Sequence, residues 1–211
     1  MYKLNPQEER LFEQFIIDEK IDADKAQKFK QYLLELFSWN ERIDLTAITT
    51  VKNALLYHFQ DSLQIKDYVD FQQISMIADI GTGAGFPGLP LKIFYPSLAL
   101  ILIEVSYKRI QFLESVIETL GLENIEIVRL DWRTFLRKTE YPIDIFCARA
   151  SLAPSELLRM FKPGCIYKKA QLIYWASTDW QPADKELPFI KKEKHYKVGN
   201  RKRKFVFFSA Q

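Results

Sequence analysis

Residues 78–91 read ADIGTGAGFPGLPL, and this stretch decides the fold. An apolar run, Met76 to Ile80, leads into it, and a second apolar segment, Leu89 to Phe94, leaves it. Between them stand Gly81, Gly83, Gly85 and Gly88. A strand, a tight glycine turn and a helix in that order bring backbone close to a ligand, because glycine adopts left-handed backbone angles and has no side chain in the way.

Two registers fit the loop. Gly83-Ala-Gly85-Phe-Pro-Gly88 matches the G-x-G-x-x-G dinucleotide fingerprint. Asp79-Ile-Gly81-Thr-Gly83-Ala-Gly85 matches D/E-x-G-x-G-x-G, the S-adenosylmethionine pattern. A pyrophosphate needs N–H donors and no carboxylate at the turn. S-adenosylmethionine carries no phosphate, but it does carry an ammonium and a sulfonium. Asp79 suits that cationic end and repels a pyrophosphate. Glu104, closing the next apolar run, can accept from ribose hydroxyls of either ligand and does not discriminate.

Outward from the loop, short apolar runs alternate with helical patterns. Strands are expected at Leu98–Ile103, Ile125–Val128, Ile143–Cys147 and Gln171–Trp175, and helices at Tyr107–Leu120 and Ser155–Phe161. This alternation predicts parallel strands with right-handed crossovers. Ile190–Val198 and Lys204–Ser209, joined around Gly199-Asn200, predict a closing antiparallel hairpin. Upstream, Asn5-Pro6, Asp22 and Thr50 start three helical segments whose apolar residues recur at helical spacing. The expected organisation is a helical extension, 1–70, and an α/β core, 71–211.

Apolar residues make up 48% of the 211, which is enough for a packed core. The polar start of the chain is not a signal peptide, and the longest apolar run is too short to span a bilayer. Two cysteines predict reduced thiols and a cytoplasmic setting, and two histidines make a His/Cys metal site unexpected. From Lys191 to Lys204 the charge is +7, which leaves −4 for the rest. A basic patch on an acidic body suits a polyanion, or else lysines guarding edge strands.

DIGTGAGFPGLPLKI, with WNERIDLTAI and HFQDSL upstream and LIEVSYKRIQFL downstream, resembles the small-subunit ribosomal RNA methyltransferase G family, also called glucose-inhibited division protein B. The resemblance implies a seven-stranded, Rossmann-like S-adenosylmethionine-dependent methyltransferase sheet with an N-terminal helical extension. It also implies transfer of a methyl group to N7 of a guanine in 16S rRNA, on naked RNA or on the small ribosomal subunit. Carried over by position, Gly81, Gly83, Gly85 and Phe86 match the cofactor loop and Glu104 the ribose acid. Asp131, Trp132 and Arg133 stand where the family holds the adenine, through backbone groups or through Asp131. Arg149 matches the arginine after the fourth strand and becomes the candidate to hold cofactor, base or both.

Departures fall on the substrate side. The family's N-L-T is Asp44-Leu45-Thr46, its lysine-glycine after the fifth strand is nearest to Trp175-Ala176, and KPGC (Lys162–Cys165) stands ahead of that strand.

N7 of guanine has an in-plane lone pair and no hydrogen, so no general base is required, and alignment supplies most of the catalysis. His58 and Asp61 match the family's H-x-x-D-S, and a hydrogen-bonded core role is expected of His58. Trp39 and Trp180 are candidate stacking residues. Lys168, Lys169, Lys197, Arg201, Lys202 and Arg203 are the expected RNA contacts. A monomer with no metal and no membrane contact is expected. Two rivals stand beside this reading: a NAD-dependent oxidoreductase, and a degenerate relative that binds RNA or ribosomal subunits without catalysis.

Overall fold

The computed structural model describes residues 2–210. Helix α1 (Pro6–Asp18) begins with a full capping box. The Asn5 side chain accepts from the amides of Gln7 and Glu8, and the Glu8 carboxylate accepts from Asn5 N–H at 2.9 Å. Helix α2 (Ala23–Ile43) is capped by Asp22 and ends at Asp44, whose φ of 50° turns the chain. Thr50 caps α3 (Val51–Ala54), which runs through a π-helical turn, Leu55–Gln60, into α4 (Asp61–Leu63).

Then follow β1 (Met76–Ile80), α5 (Gly88–Phe94), β2 (Ala99–Ile103), α6 (Tyr107–Thr119), β3 (Ile125–Val128), α7 (Trp132–Lys138) and β4 (Ile145–Arg149). The chain finishes with α8 (Pro154–Leu157), β5 (Gln171–Ser177), β6 (Ile190–Val198) and β7 (Arg201–Phe208). The seven strands form one sheet in the order β3-β2-β1-β4-β5-β7-β6, with β7 antiparallel to β5 and to β6.

Side chains alternate across this sheet. Ile77, Leu102 and Cys147 face a layer that includes Phe15, Phe29, Tyr32, Phe59 and Phe112. Ala78, Ile80, Ile103 and Phe146 face the other layer, with Trp132, Phe135 and Leu157. The amino-terminal helices therefore share one core with the sheet and its helices, through edge-on aromatic contacts such as Trp39 of α2 with Phe112 of α6 at 5.8 Å.

Strand β7 starts at Arg201 rather than Lys204, directly after the Gly199-Asn200 turn, and three further details differ from the expectation. Helix α7 was not foreseen, because under two turns of WRTFLRK is too short for periodicity to register; Asp131 caps it by accepting from Thr134 N–H at 3.1 Å. Strand β4 starts at Ile145 because Asp144 uses its carboxylate to tie down the amides of Ser75 and Met76. The expected helix at Ser155–Phe161 is a short α-turn that tightens to 3₁₀ at Leu158–Phe161.

Candidate active site

The strand order reverses between β1 and β4, and such a switch point opens a crevice at the carboxyl ends of the strands. Two clefts meet there. The first, of about 280 Å³, is lined by Gly81, Glu104, Arg109, Asp131, Trp132 and Ala150, among others. The second, of about 570 Å³, is lined by Ala150, Tyr174, Trp175, Trp180 and Arg201–Arg203, among others. Ala150 lines both, with a φ of 52° that is unusual for a residue with a side chain.

The four glycines divide into two kinds. At Gly83, φ is 62° and an added Cβ would meet nothing within 4 Å, so this backbone faces open space. At Gly85, an added Cβ would lie 2.5 Å from Leu89 Cδ1 and 2.6 Å from the Tyr32 hydroxyl. Gly81, where an added Cβ would lie 2.7 Å from Ser151 Cβ, is closed by packing, and so are Gly85 and Gly88. This weighs against the dinucleotide register, whose second glycine must admit a pyrophosphate.

Two buried carboxylates hold the loop. Asp79 Oδ2 accepts from the Thr82 hydroxyl at 2.7 Å and from Gly88 N–H at 2.8 Å, while its Oδ1 is buried with no partner. Burial pushes the Asp79 carboxyl up to about 6, against those two hydrogen bonds. Glu104 accepts from the amides of Gly83, Val105 and Ser106 at 2.9–3.0 Å, and Arg109 stands 3.6 Å away. A carboxylate offers about four acceptor sites, so Glu104 keeps capacity for another donor. An unpartnered buried acid, an open glycine backbone and an acid on the next strand together fit a small ligand that is cationic at one end and carries hydroxyls further along.

Phe86 is the centre of a ring stack. His58 lies on it at 4.5 Å and Tyr32 at 5.2 Å, both within 11° of parallel. The Arg149 guanidinium stands 5.4 Å from the same ring. Arg149 is not a surface group. It donates to Tyr57 C=O and Asp61 Oδ2, both at 3.0 Å, and to His58 Nδ1 at 3.2 Å. A guanidinium has no acceptor, so His58 Nδ1 accepts; the proton is on Nε2, which donates to Thr46 Oγ1 at 2.8 Å. Burial and the neighbouring Arg149 press His58 down to about 3, so it stays neutral. The core role expected for His58 is what its contacts describe.

Asp61 does more than the sequence suggested. Fully buried, it holds Arg149 on one oxygen, while its other oxygen accepts from the Tyr196 hydroxyl at 2.7 Å and lies 3.3 Å from Arg203. Tyr196 and Arg203 belong to the carboxy-terminal hairpin, about 140 residues further along the chain. The hairpin tip is seated on the π-helical turn: Tyr57 donates to Asn200 at 2.5 Å and carries Arg201 over its ring at 3.8 Å. The spacing His58-x-x-Asp61 was the only signal of this seam.

The remaining expected residues separate. Gly81, Glu104, Asp131 and Trp132 line the first cleft, but the Asp131 side chain is spent on capping α7. Arg133 points away from that cleft, into an ion pair with Glu156 at 2.6 Å. Arg201, Lys202 and Arg203 line the second cleft, with Lys197 opposite Lys202 in the hairpin register. Lys168 and Lys169 are not brought to the site. They precede β5, whose length of roughly 20 Å separates them from the carboxyl ends of the strands. Trp180 lines the second cleft, whereas Trp39 packs edge-on against Phe112 at 5.8 Å, away from both.

The architecture is that of the methyltransferases among solved structures. It matches the METTL16 MTase domain at a TM-score of 0.59 with 16% identity, covering 89% of this chain and 79% of that one. It matches TrmK from M. capricolum, solved in complex with S-adenosylhomocysteine, at 0.54 with 17% identity, covering 70% and 66%.

Sequence comparison is more specific. The model of the family described as rRNA small subunit methyltransferase G matches residues 25–204, and the chain belongs to that family. Proteins named ribosomal RNA small subunit methyltransferase G are 40% identical in Halalkalibacterium halodurans, over 66% of this chain and 60% of the relative, and 32% identical in Listeria monocytogenes serotype 4b, over 92% and 84%. The first of these matches thus spans less than two thirds of the relative's length.

Proposed function

We propose that the protein transfers a methyl group from S-adenosylmethionine to guanine N7 in 16S rRNA, in the cytoplasm. The observation that carries this reading is the pair of clefts meeting at Ala150, one lined by Glu104, Asp131 and the Gly81 turn with the open backbone of Gly83 in the same loop, the other by arginines and an indole. The first suits a cationic nucleoside and the second a base on a phosphate backbone.

Gly83 would admit the cofactor's close backbone approach while Gly81 holds the turn against Ser151, and Asp79 Oδ1 would take its ammonium, Glu104 its ribose and the backbone at Trp132 its adenine. When bound, the cofactor supplies an electrophilic methyl on a sulfonium. The chain's own part is alignment, since N7 needs no proton removed. His58 cannot serve as a base here: its Nδ1 lone pair is engaged by Arg149 and its Nε2 already carries a proton. Arg149 must leave N7 free, because a donor on that atom would occupy the attacking lone pair. Its unengaged N–H groups suit O6 or a neighbouring oxygen instead. Trp180 offers an apolar face to the base, and Arg201 and Lys202 offer charge to phosphates.

The test is methyl transfer from labelled S-adenosylmethionine to small ribosomal subunits and to naked 16S rRNA lacking the modification. Label in 7-methylguanosine at one site, lost in Gly83→Ala and Arg149→Ala, is expected. Cofactor binding without transfer to either substrate would leave the degenerate reading in its place.

A further inference from the structure

A third and larger cavity lies away from the crevice. It measures about 620 Å³ and runs between α7 and the turn after α8, lined by Arg133, Arg137, Arg159, Lys162, Glu140 and Cys165, among others. It opens on the sheet face opposite the amino-terminal helices, where Trp132 and Phe135 pack.

Its charge is unbalanced. Arg133 and Arg159 converge on Glu156, at 2.6 and 2.5 Å, so one carboxylate fixes two guanidiniums. Arg137 and Lys162 make no ion pair among the described residues, and both are exposed. Leaving out Arg149, which pairs with Asp61, the stretch from Arg129 to Lys169 has eight lysines and arginines against four acids. Over residues 1–128 the acids exceed the basic residues by seven. The helical layer is therefore acidic and the α7 face basic. Lys168 and Lys169, remote from the crevice, stand two and three residues after the cavity-lining Ile166 and extend this second basic zone.

We propose that this groove is a second binding surface for the phosphate backbone of the RNA substrate, separate from the hairpin. The inference rests on the RNA reading given above. Two features argue for a nucleic-acid strand. The Arg133–Glu156–Arg159 cluster is a pre-organised guanidinium pair, so little side-chain entropy is lost on meeting a phosphate. The groove also begins one residue beyond Trp132, on the wall of the first cleft, so a strand engaged at the crevice has a continuous basic path onto this face. The groove holds and orients RNA; it does not choose the base.

The experiment is binding of a 16S rRNA fragment across a salt series, with S-adenosylmethionine affinity measured in parallel. Arg137→Glu with Lys162→Glu should weaken RNA binding at least tenfold and lower the slope of log K against log salt by roughly 1.5, two phosphate contacts' worth. Cofactor affinity and thermal stability should be unchanged, since both side chains are exposed and neither is in an ion pair. Arg137→Gln with Lys162→Gln should give a smaller change of the same kind. The comparison variant is Arg201→Glu with Lys202→Glu in the hairpin. A hairpin variant that weakens binding beside a groove variant that does not would overturn this proposal alone. No change in either would overturn the RNA reading, and the groove with it.

Discussion

The two clefts that meet at Ala150 are made of different materials. The first is backbone and carboxylate: the Gly81 turn and a Glu104 already bonded to three amides, with the open Gly83 and an unpartnered, buried Asp79 oxygen in the loop beside it. The second is long cationic side chains, supplied by a hairpin from the far end of the chain, and an indole from the segment after β5. A small ligand with fixed hydroxyls and an ammonium needs donors and acceptors set by a rigid turn. A polyanion needs charge spread over a surface, and its geometry can stay loose. The seam between them is Asp61, one buried carboxylate shared by Arg149 from β4 and by Tyr196 and Arg203 from the hairpin.

The seam is the first place to break the comparison. Asp61→Asn leaves two guanidiniums facing a neutral group in a buried site, and should cost about 3–5 kcal/mol in urea unfolding. RNA binding and methyl transfer should fall together, because hairpin and Arg149 lose the same partner. A variant as stable as the parent would mean that the arginines find other acceptors.

The glycines divide the first cleft from the core beneath it. Gly85→Ala drives a Cβ into Leu89 and Tyr32 at a φ of 90°, and should cost about 3 kcal/mol of stability. Gly83→Ala meets nothing and should cost only about 1 kcal/mol, from its left-handed backbone. It should nonetheless lower S-adenosylmethionine affinity at least tenfold. Equal stability losses, or unchanged affinity at Gly83, would dissolve the distinction.

Acid separates the seam from the loop. His58 is held down to about 3 in the folded protein, so the unfolded chain takes up a proton first as pH falls below about 6.5. The stability His58 contributes is therefore present above 6.5 and lost toward 3. Asp79 runs the other way: the folded chain protonates it near 6, before the unfolded chain does, so stability rises as pH falls from 6 toward its ordinary value. The two oppose each other. His58→Gln should remove one, and gain about 1–2 kcal/mol on the parent between pH 6.5 and pH 5 by urea titration. Parallel curves would show that His58 is not held neutral.

The smallest expected effect distinguishes the clefts by ligand. Only ionised Asp79 attracts an ammonium, so S-adenosylmethionine affinity should fall about tenfold per pH unit below about 6. Asp79→Asn should bind more weakly at pH 7 and show no such slope in calorimetry. A slope retained in that variant would transfer the effect to another group.

Much of the first cleft was legible because its chemistry is local. Asp79, Gly81 and Gly83 lie within five residues, and Glu104 closes the next strand. Which glycines open to a ligand and which merely pack was not legible, since that depends on Leu89 and on Tyr32 from α2. Position alone marks the backbone of Trp132 and Arg133, or Asp131, for the adenine; a cap claims the Asp131 side chain and an ion pair with Glu156 the Arg133 side chain, and neither bears on the backbone groups. Lys168 and Lys169 were grouped with the hairpin by charge alone, while the sheet sets them at its other end.

By itself the sequence determined the alternation of strands and helices, the glycine turn, the acids flanking it and the basic hairpin. These follow from periodicity, backbone freedom and charge within a few neighbouring residues. Only the tertiary structure decided what Arg149 touches, what Asp61 joins and where each basic cluster lies. Those depend on which distant segments share a sheet register and on which buried charge finds which partner. A carboxylate sealed from water must be satisfied by whatever the fold brings within reach, and here that came from 88, 135 and 142 residues away along the chain.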